Sequence, residues 1–233
     1  MPRKFYSQNG EDCILWNLFT DQDTPGCFVD IGALDGKCFS NTYSFEQAGW
    51  AGLCVEAHPA YIDILKKNRP NSIVIHAAIS NQDKASTTFY ANARGALSTL
   101  VGGLRKEFQA KYKRTNPAWT PIQVPMRTLT SVLAEHQLST VDVVSMDVEG
   151  GELAILREFD FSKCMPRVWV IEAINKHRET LTQSIMKAAG YTFARKLTNN
   201  LFFCRDSKDV PKIKTAVISK KLIHTTHPYD VKK

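Results

Sequence analysis

Apolar positions along this 233-residue chain follow two periods, and the exchange between them sets the fold class. CFVDIG (27–32), GLCVEA (52–57), IVIHAAI (73–79), VDVVSMDV (141–148) and RVWVIEA (167–173) are short, mostly apolar runs of the kind that form strands buried on both faces. Helical spacing fills the gaps. Residues 7–19 put Ile14, Leu15, Leu18 and Phe19 on one stripe, and Ser40 or Asn41 can cap a helix to about Ala48. Pro59 takes a first helical position in a helix to about Asn68, and 151–159 and 177–189 follow, the last stopping at Gly190. This rhythm predicts parallel pairing with right-handed crossovers, a doubly wound α/β sheet.

The middle departs from the rhythm. STTFYAN (86–92) alternates as an extra strand, IQVPMRT (122–128) as another, and a helix with Leu129, Val132 and Leu133 on one face follows. Residues 93–121 between the two strands form a long insertion after the third strand, and such excursions are usually lids or binding loops. YTFARKL and NLFFCR (191–205) read as a closing antiparallel pair. The expected organisation is one domain over 1–206, with a basic tail at 207–233 that is partly ordered at best.

Composition adds exclusions. Hydrophobic residues make up 43% and charged residues 23%, an ordinary globular balance. No apolar run nears the roughly 20 residues that cross a bilayer, and the opening MPRKFYSQNGED lacks a secretory apolar region, so a cytoplasmic location is expected. Cysteines at 13, 27, 38, 54, 164 and 204 match no zinc or redox spacing and read as free thiols. The net charge of +7 is concentrated: 104–115 carries +4, 205–233 carries +5, and the remainder is slightly acidic. Either the basic stretches are solvated faces, or Lys106, Lys111, Lys113 and Arg114 grip an anionic acceptor.

Three motifs carry candidate chemistry. The first strand ends in Asp30-Ile31-Gly32-Ala33-Leu34-Asp35-Gly36: Gly32 can turn sharply off the strand and Gly36 can admit a ligand to the backbone. Asp30 and Asp35 suit a cationic aminoacyl-sulfonium better than a diphosphate, which would ask for G-x-G-x-x-G. Glu56 ends the second strand, where an acid accepts ribose hydroxyls. In Ser145-Met146-Asp147-Val148-Glu149-Gly150-Gly151-Glu152, a period of two puts Asp147 and Glu149 on one side, in reach of a substrate hydroxyl as its base, with Glu172 at the end of the fifth strand in reserve. Three carboxylates this close can also hold a divalent cation, but no fixed spacing marks such sites and no metal is assigned. His76 reads as a hydrogen-bonded core imidazole, His58 as a helix cap or adenosine neighbour, and Trp119 as a residue that stacks on a ligand.

Taken in order, Ser7-Gln8-Asn9-Gly10-Glu11-Asp12, VDIGALDG with Phe39-Ser40-Asn41-Thr42, VEAHP and DVEGGE resemble the FkbM-type methyltransferases over about residues 6–205. The resemblance implies a Rossmann-like class I methyltransferase fold of seven mostly parallel strands, S-adenosylmethionine at the end of the first, and O-methylation of sugars or sugar-derived products. By the same resemblance Asp30, Gly32 and Glu56 contact the cofactor, and Gln8, Glu11 and Asp12 close its pocket. Asn41, a further cofactor neighbour, lines the reaction centre with Asp147 and Glu149. The basic segments would equally serve an RNA methyltransferase gripping phosphates, though no RNP-type aromatic motif accompanies them. A nicotinamide-dependent oxidoreductase is disfavoured by the incomplete glycine fingerprint, and a catalytically dead binding module by the joint presence of Asp30, Glu56, Asp147 and Glu149.

Overall fold

The five apolar runs become the spine of one sheet. The computed structural model describes residues 4–22, 24–92, 98–100, 119–219 and 223. Its strands Cys27–Ile31 (β1), Ala51–Glu56 (β2), Ser72–His76 (β3), Val143–Met146 (β7), Val168–Glu172 (β8), Thr192–Leu197 (β9) and Asn200–Cys204 (β10) pair in the order β3-β2-β1-β7-β8-β10-β9. Pairing is parallel from β3 through β8, and β10 runs antiparallel to both β8 and β9. This is a doubly wound arrangement of seven mostly parallel strands. Its direction reverses beside β1, which opens a crevice at the carboxyl ends of β1 and β7.

Helices cover both faces, as the alternation requires. Val29, Ile31, Val144, Met146, Trp169 and Ile171 pack against Leu129–Glu135 (α4), Glu152–Glu158 (α5) and Lys176–Ala188 (α6), through Val132, Leu133, Ile155, Leu156 and Met186. Phe28, Cys54, Val143 and Val170 face Glu11–Leu18 (α1), Tyr43–Glu46 (α2) and Pro59–Asn68 (α3) through Ile14, Leu15, Phe45 and Leu65. His58 caps α3, its Nδ1 accepting from the Ala60 N–H.

Several expectations are corrected. The run 73–79 is two strands: β3 ends at His76, and Ala78–Ser80 (β4) joins a second, three-stranded sheet, β4-β6-β5, with Lys84–Asn92 (β5) and Trp119–Thr128 (β6). The change is one of partner and leaves the apolar pattern intact. His76 is therefore exposed at a strand end, hydrogen-bonded to the Ala57 carbonyl rather than buried in the core. The first helix begins only at Glu11 because Gly10 has φ 101°. The helix from residue 40 shrinks to the single turn α2, and Ser40 Oγ accepts instead from the Thr42 and Tyr43 N–H groups. Trp119 is buried opposite Asn92.

The start of the tail is part of the packed body. After a 3₁₀ turn at Ser207–Asp209, Val210–Thr215 (α7) buries Ile213 completely, and Arg195 Nη1 donates to the Ala216 carbonyl at 2.7 Å. Among the described residues no helix is long and apolar enough to cross a membrane. The six cysteines are free thiols.

Candidate active site

Strand register assembles the site. Val55, Ile31, Met146 and Ile171 are direct neighbours across β2, β1, β7 and β8. The next residue on each strand is therefore Glu56, Gly32, Asp147 and Glu172, one row at the carboxyl edge. The ladder continues into that row: Gly32 N–H donates to Val55 O at 2.9 Å, and Asp147 N–H to Ile31 O at 3.0 Å. Gly32 has φ +84°, and a Cβ there would lie 1.8 Å from the Asp147 carbonyl, so the close approach of the β1 and β7 ends requires glycine.

Above Glu56, Gly32 and Asp147 lies a cleft of about 970 Å³, counting its open mouth, and Glu172 at the end of the row is not among its lining residues. Asp30, Gly32, Asn41, Glu56, Asp147 and Glu149, all singled out from the sequence, line it. One further wall is apolar, from Ala77, Ala78, Ile79 and Phe89, and Ser98 and Leu100 reach it from the insertion. Lys106, Lys111, Lys113 and Arg114 lie outside the described residues.

Glu56 is buried, and its two oxygens accept from Leu34 N–H and His58 N–H, each at 2.7 Å. Burial pushes its carboxyl above the usual range against those bonds. Asn41 Nδ2 donates to Ser145 Oγ at 3.2 Å. Asp30 Oδ2 accepts from Thr42 Oγ1 at 2.6 Å and pairs with Arg69 at 3.4 Å.

Other expected contacts are employed elsewhere. Asp12 accepts from Tyr6 N–H, Ser7 Oγ and Cys13 N–H, which pins the chain entry to α1. Glu11 is held by Asn9 and Asn200 side chains, and Gln8 is exposed. Asp35 Oδ1 accepts from Lys37 and Cys38 N–H within its own turn. Gly36 makes room for α3 rather than for a ligand, since a Cβ there would meet Leu65 Cδ1 at 2.6 Å and Arg69 Cγ at 2.7 Å.

The acidic end differs from the sequence reading in one respect. The strand stops at Met146 and Glu149 has φ 53°, so a period of two does not carry from Asp147 to Glu149. Both still line the cleft, and tertiary structure also groups Asp147 with Glu152 and Glu172, one carboxylate oxygen of each lying within 4.8 Å of the others. Glu152 is 1% exposed, and its Oε1 accepts from the Val148 and Gly150 N–H groups. Burial first, then the charges of Asp147, Glu149 and Glu152, push the Glu172 carboxyl well above its usual range. Burial raises Asp147 too, although its surface opens to the cleft, and Glu152 is pushed to about 7.

Arg69 has no local sequence signal. It is fully buried between Asp30 and Glu46, and also donates to Ser40 Oγ, Thr42 Oγ1 and the Gly36 carbonyl. Its partners lie 23 to 39 residues away along the chain, so only folding brings the group together.

Residues 30–193 match the family model described as the methyltransferase FkbM domain. No curated protein matches the chain significantly. Among solved structures, the chain is similar to the human methyltransferase 10 domain containing protein at 14% identity, over 85% of this chain and 83% of that one, with a TM-score of 0.46. It is similar to precorrin-6y C5,15-methyltransferase from Geobacter metallireducens at 11% identity, covering 86% and 92%, with a TM-score of 0.42. The fibrillarin of Aeropyrum pernix, with natively bound S-adenosyl-L-methionine, is 12% identical over 83% and 76%, with a TM-score of 0.41.

Proposed function

The chain belongs to the FkbM methyltransferase family, and from that premise we propose that it transfers the methyl group of S-adenosylmethionine to a hydroxyl of a sugar or sugar-derived acceptor. The observation that carries this is that Glu56, Gly32 and Asp147, one row at the carboxyl edge of the sheet, line one cleft together with Glu149. Glu56 lines the cleft with its oxygens oriented by the Leu34 and His58 N–H groups, and a carboxylate so held can still accept from the two ribose hydroxyls. Gly32 lets the Asp147 backbone close against the end of β1, and the acidic lining suits a cationic sulfonium. The apolar wall of Ala77, Ala78, Ile79 and Phe89 suits a flat base.

Bound S-adenosylmethionine supplies an already activated methyl group, so the protein's work is alignment and proton removal. The acceptor oxygen bonds to the methyl carbon as the carbon–sulfur bond breaks, the electron pair staying on sulfur. The hydroxyl proton passes to a carboxylate at the cleft floor, Asp147 or Glu149, and on to water. Asn41 steadies the β7 end through Ser145.

Calorimetry against S-adenosylmethionine, S-adenosylhomocysteine and NAD tests the cofactor. Both sulfur nucleosides should bind and NAD far more weakly. Glu56→Gln should weaken sulfur-nucleoside binding by about 1.5–3 kcal/mol per charged hydrogen bond lost. Tight NAD binding with no response to either sulfur nucleoside would overturn the reading. Labelled-methyl transfer to a panel of sugars tests the acceptor, and transfer to RNA alone would replace it.

A further inference from the structure

The cluster of Asp147, Glu152 and Glu172 asks for something the described residues do not supply. Oε2 of Glu152 and Oε2 of Glu172 are buried and receive no hydrogen bond among the described residues. Glu152 is 1% exposed, and its carboxylate faces the other two. The nearby guanidinium of Arg178 is 3.9 Å from Glu152 Oε2, beyond hydrogen-bond reach, and its Nη1 already donates to the Gly150 carbonyl at 2.7 Å. Buried acceptors without donors are costly. A single proton shared by Asp147 and Glu172 would relieve that pair and still leave Glu152 Oε2 unanswered. One cation would answer all three.

We propose that Asp147, Glu152 and Glu172 bind one hard divalent cation, of the Mg²⁺, Mn²⁺ or Ca²⁺ class, whose open coordination positions face the cleft and take the acceptor hydroxyl. Three carboxylate oxygens are the donor set such ions prefer. Opposite ligands lie two bond lengths apart, about 4.2 Å for Mg²⁺ and roughly 4.6–5.2 Å for Ca²⁺. A group of oxygens within 4.8 Å of one another spans both. Glu172 lies level with Asp147 across β7 and β8, and Glu152 opens α5, so the ligands sit on three rigid elements. The Asp147 member opens to the cleft. A hydroxyl on the ion ionises more readily, and Glu149, outside the triad, then receives its proton. The role assigned to the ion rests on the acceptor meeting the methyl donor in this cleft. The ion site itself does not.

The test is Mn²⁺ titration of the chelator-treated full chain, by calorimetry and by the loss of the free-ion paramagnetic signal. S-adenosylhomocysteine affinity is measured in parallel. One saturable equivalent is expected, weakened about tenfold or more by Asp147→Asn and by Glu172→Gln, with S-adenosylhomocysteine affinity kept in both variants. No saturable Mn²⁺ binding up to about 1 mM in a chain that binds S-adenosylhomocysteine overturns the proposal and leaves proton sharing as the answer. Saturable binding that both variants retain also overturns it, since the ion then sits elsewhere. Mn²⁺ binding lost in both variants, in a chain that ignores S-adenosylhomocysteine, supports the ion site and removes the cofactor reading instead.

Discussion

Single residues in this chain answer to their surroundings more than to their motif. Asp12 lies in the first recognisable motif, yet it is an internal anchor: burial pushes its carboxyl up to about 6, against the hydrogen bonds from Ser7 and Tyr6. An unfolded aspartate titrates near about 3.9, so between those values the folded chain keeps a proton that the unfolded chain has released. The stability this proton contributes is whole below about 3.9 and is lost as pH rises to about 6, by up to about 3 kcal/mol at about 1.4 kcal/mol per pKa unit. Urea denaturation of wild type and Asp12→Asn across that window should show the wild type losing its advantage as pH rises. Parallel curves would mean that Asp12 ionises normally in the fold. Gly32 and Gly36 make the same point about motifs. Both have positive φ, but Gly32 admits the Asp147 backbone and Gly36 admits the side chains of Leu65 and Arg69.

Among elements, the turn after β1 is fixed by a partner from the end of α3. The Arg69 guanidinium lies over the rings of Tyr43, at 5.2 Å, and Phe28, at 5.5 Å, while pairing with Asp30 and Glu46. Glu46 is further held by Ser72 Oγ at 2.6 Å and Asn71 N–H at 3.1 Å. The network ties β1, α2 and α3 together directly beneath the cleft. Arg69→Met keeps much of the volume but strands two buried carboxylates, a loss of about 3–5 kcal/mol. Denaturant unfolding should report that loss, and a variant as stable as wild type would show the ion pairs to be dispensable. The sheet itself was legible in the sequence. This network was not, because periodicity records which face a residue takes and carries nothing about distant partners.

At the scale of the whole molecule, the body extends past the domain end expected at residue 206. Ile213 is fully buried, Asp209 pairs with Arg167 at 2.7 Å, Asn17 Nδ2 donates to the Lys212 carbonyl at 3.0 Å, and Phe5 bridges to Ile223. The start of the tail thus braces α1 and the first residues of the chain. Truncation after 206 removes one fully buried isoleucine, at about 1.5–3 kcal/mol, together with these bonds. The truncated chain should melt measurably lower and expose α1 to proteolysis. An unchanged melting temperature would return the boundary to 206.

What the sequence determined by itself was everything periodic or local. The strand and helix order, the glycine turn, the acid at the end of β2 and the DVEGGE segment follow from spacing and from backbone chemistry that acts over a few residues. Tertiary structure alone decided how those pieces share work. It split one apolar run between two sheets, set Gly36 against Arg69, and added Glu152 and Glu172 to the company of Asp147. Each of those outcomes depends on strand register and on contacts between residues far apart in the chain. Hydrophobic periodicity fixes neither, because many pairings bury the same face equally well.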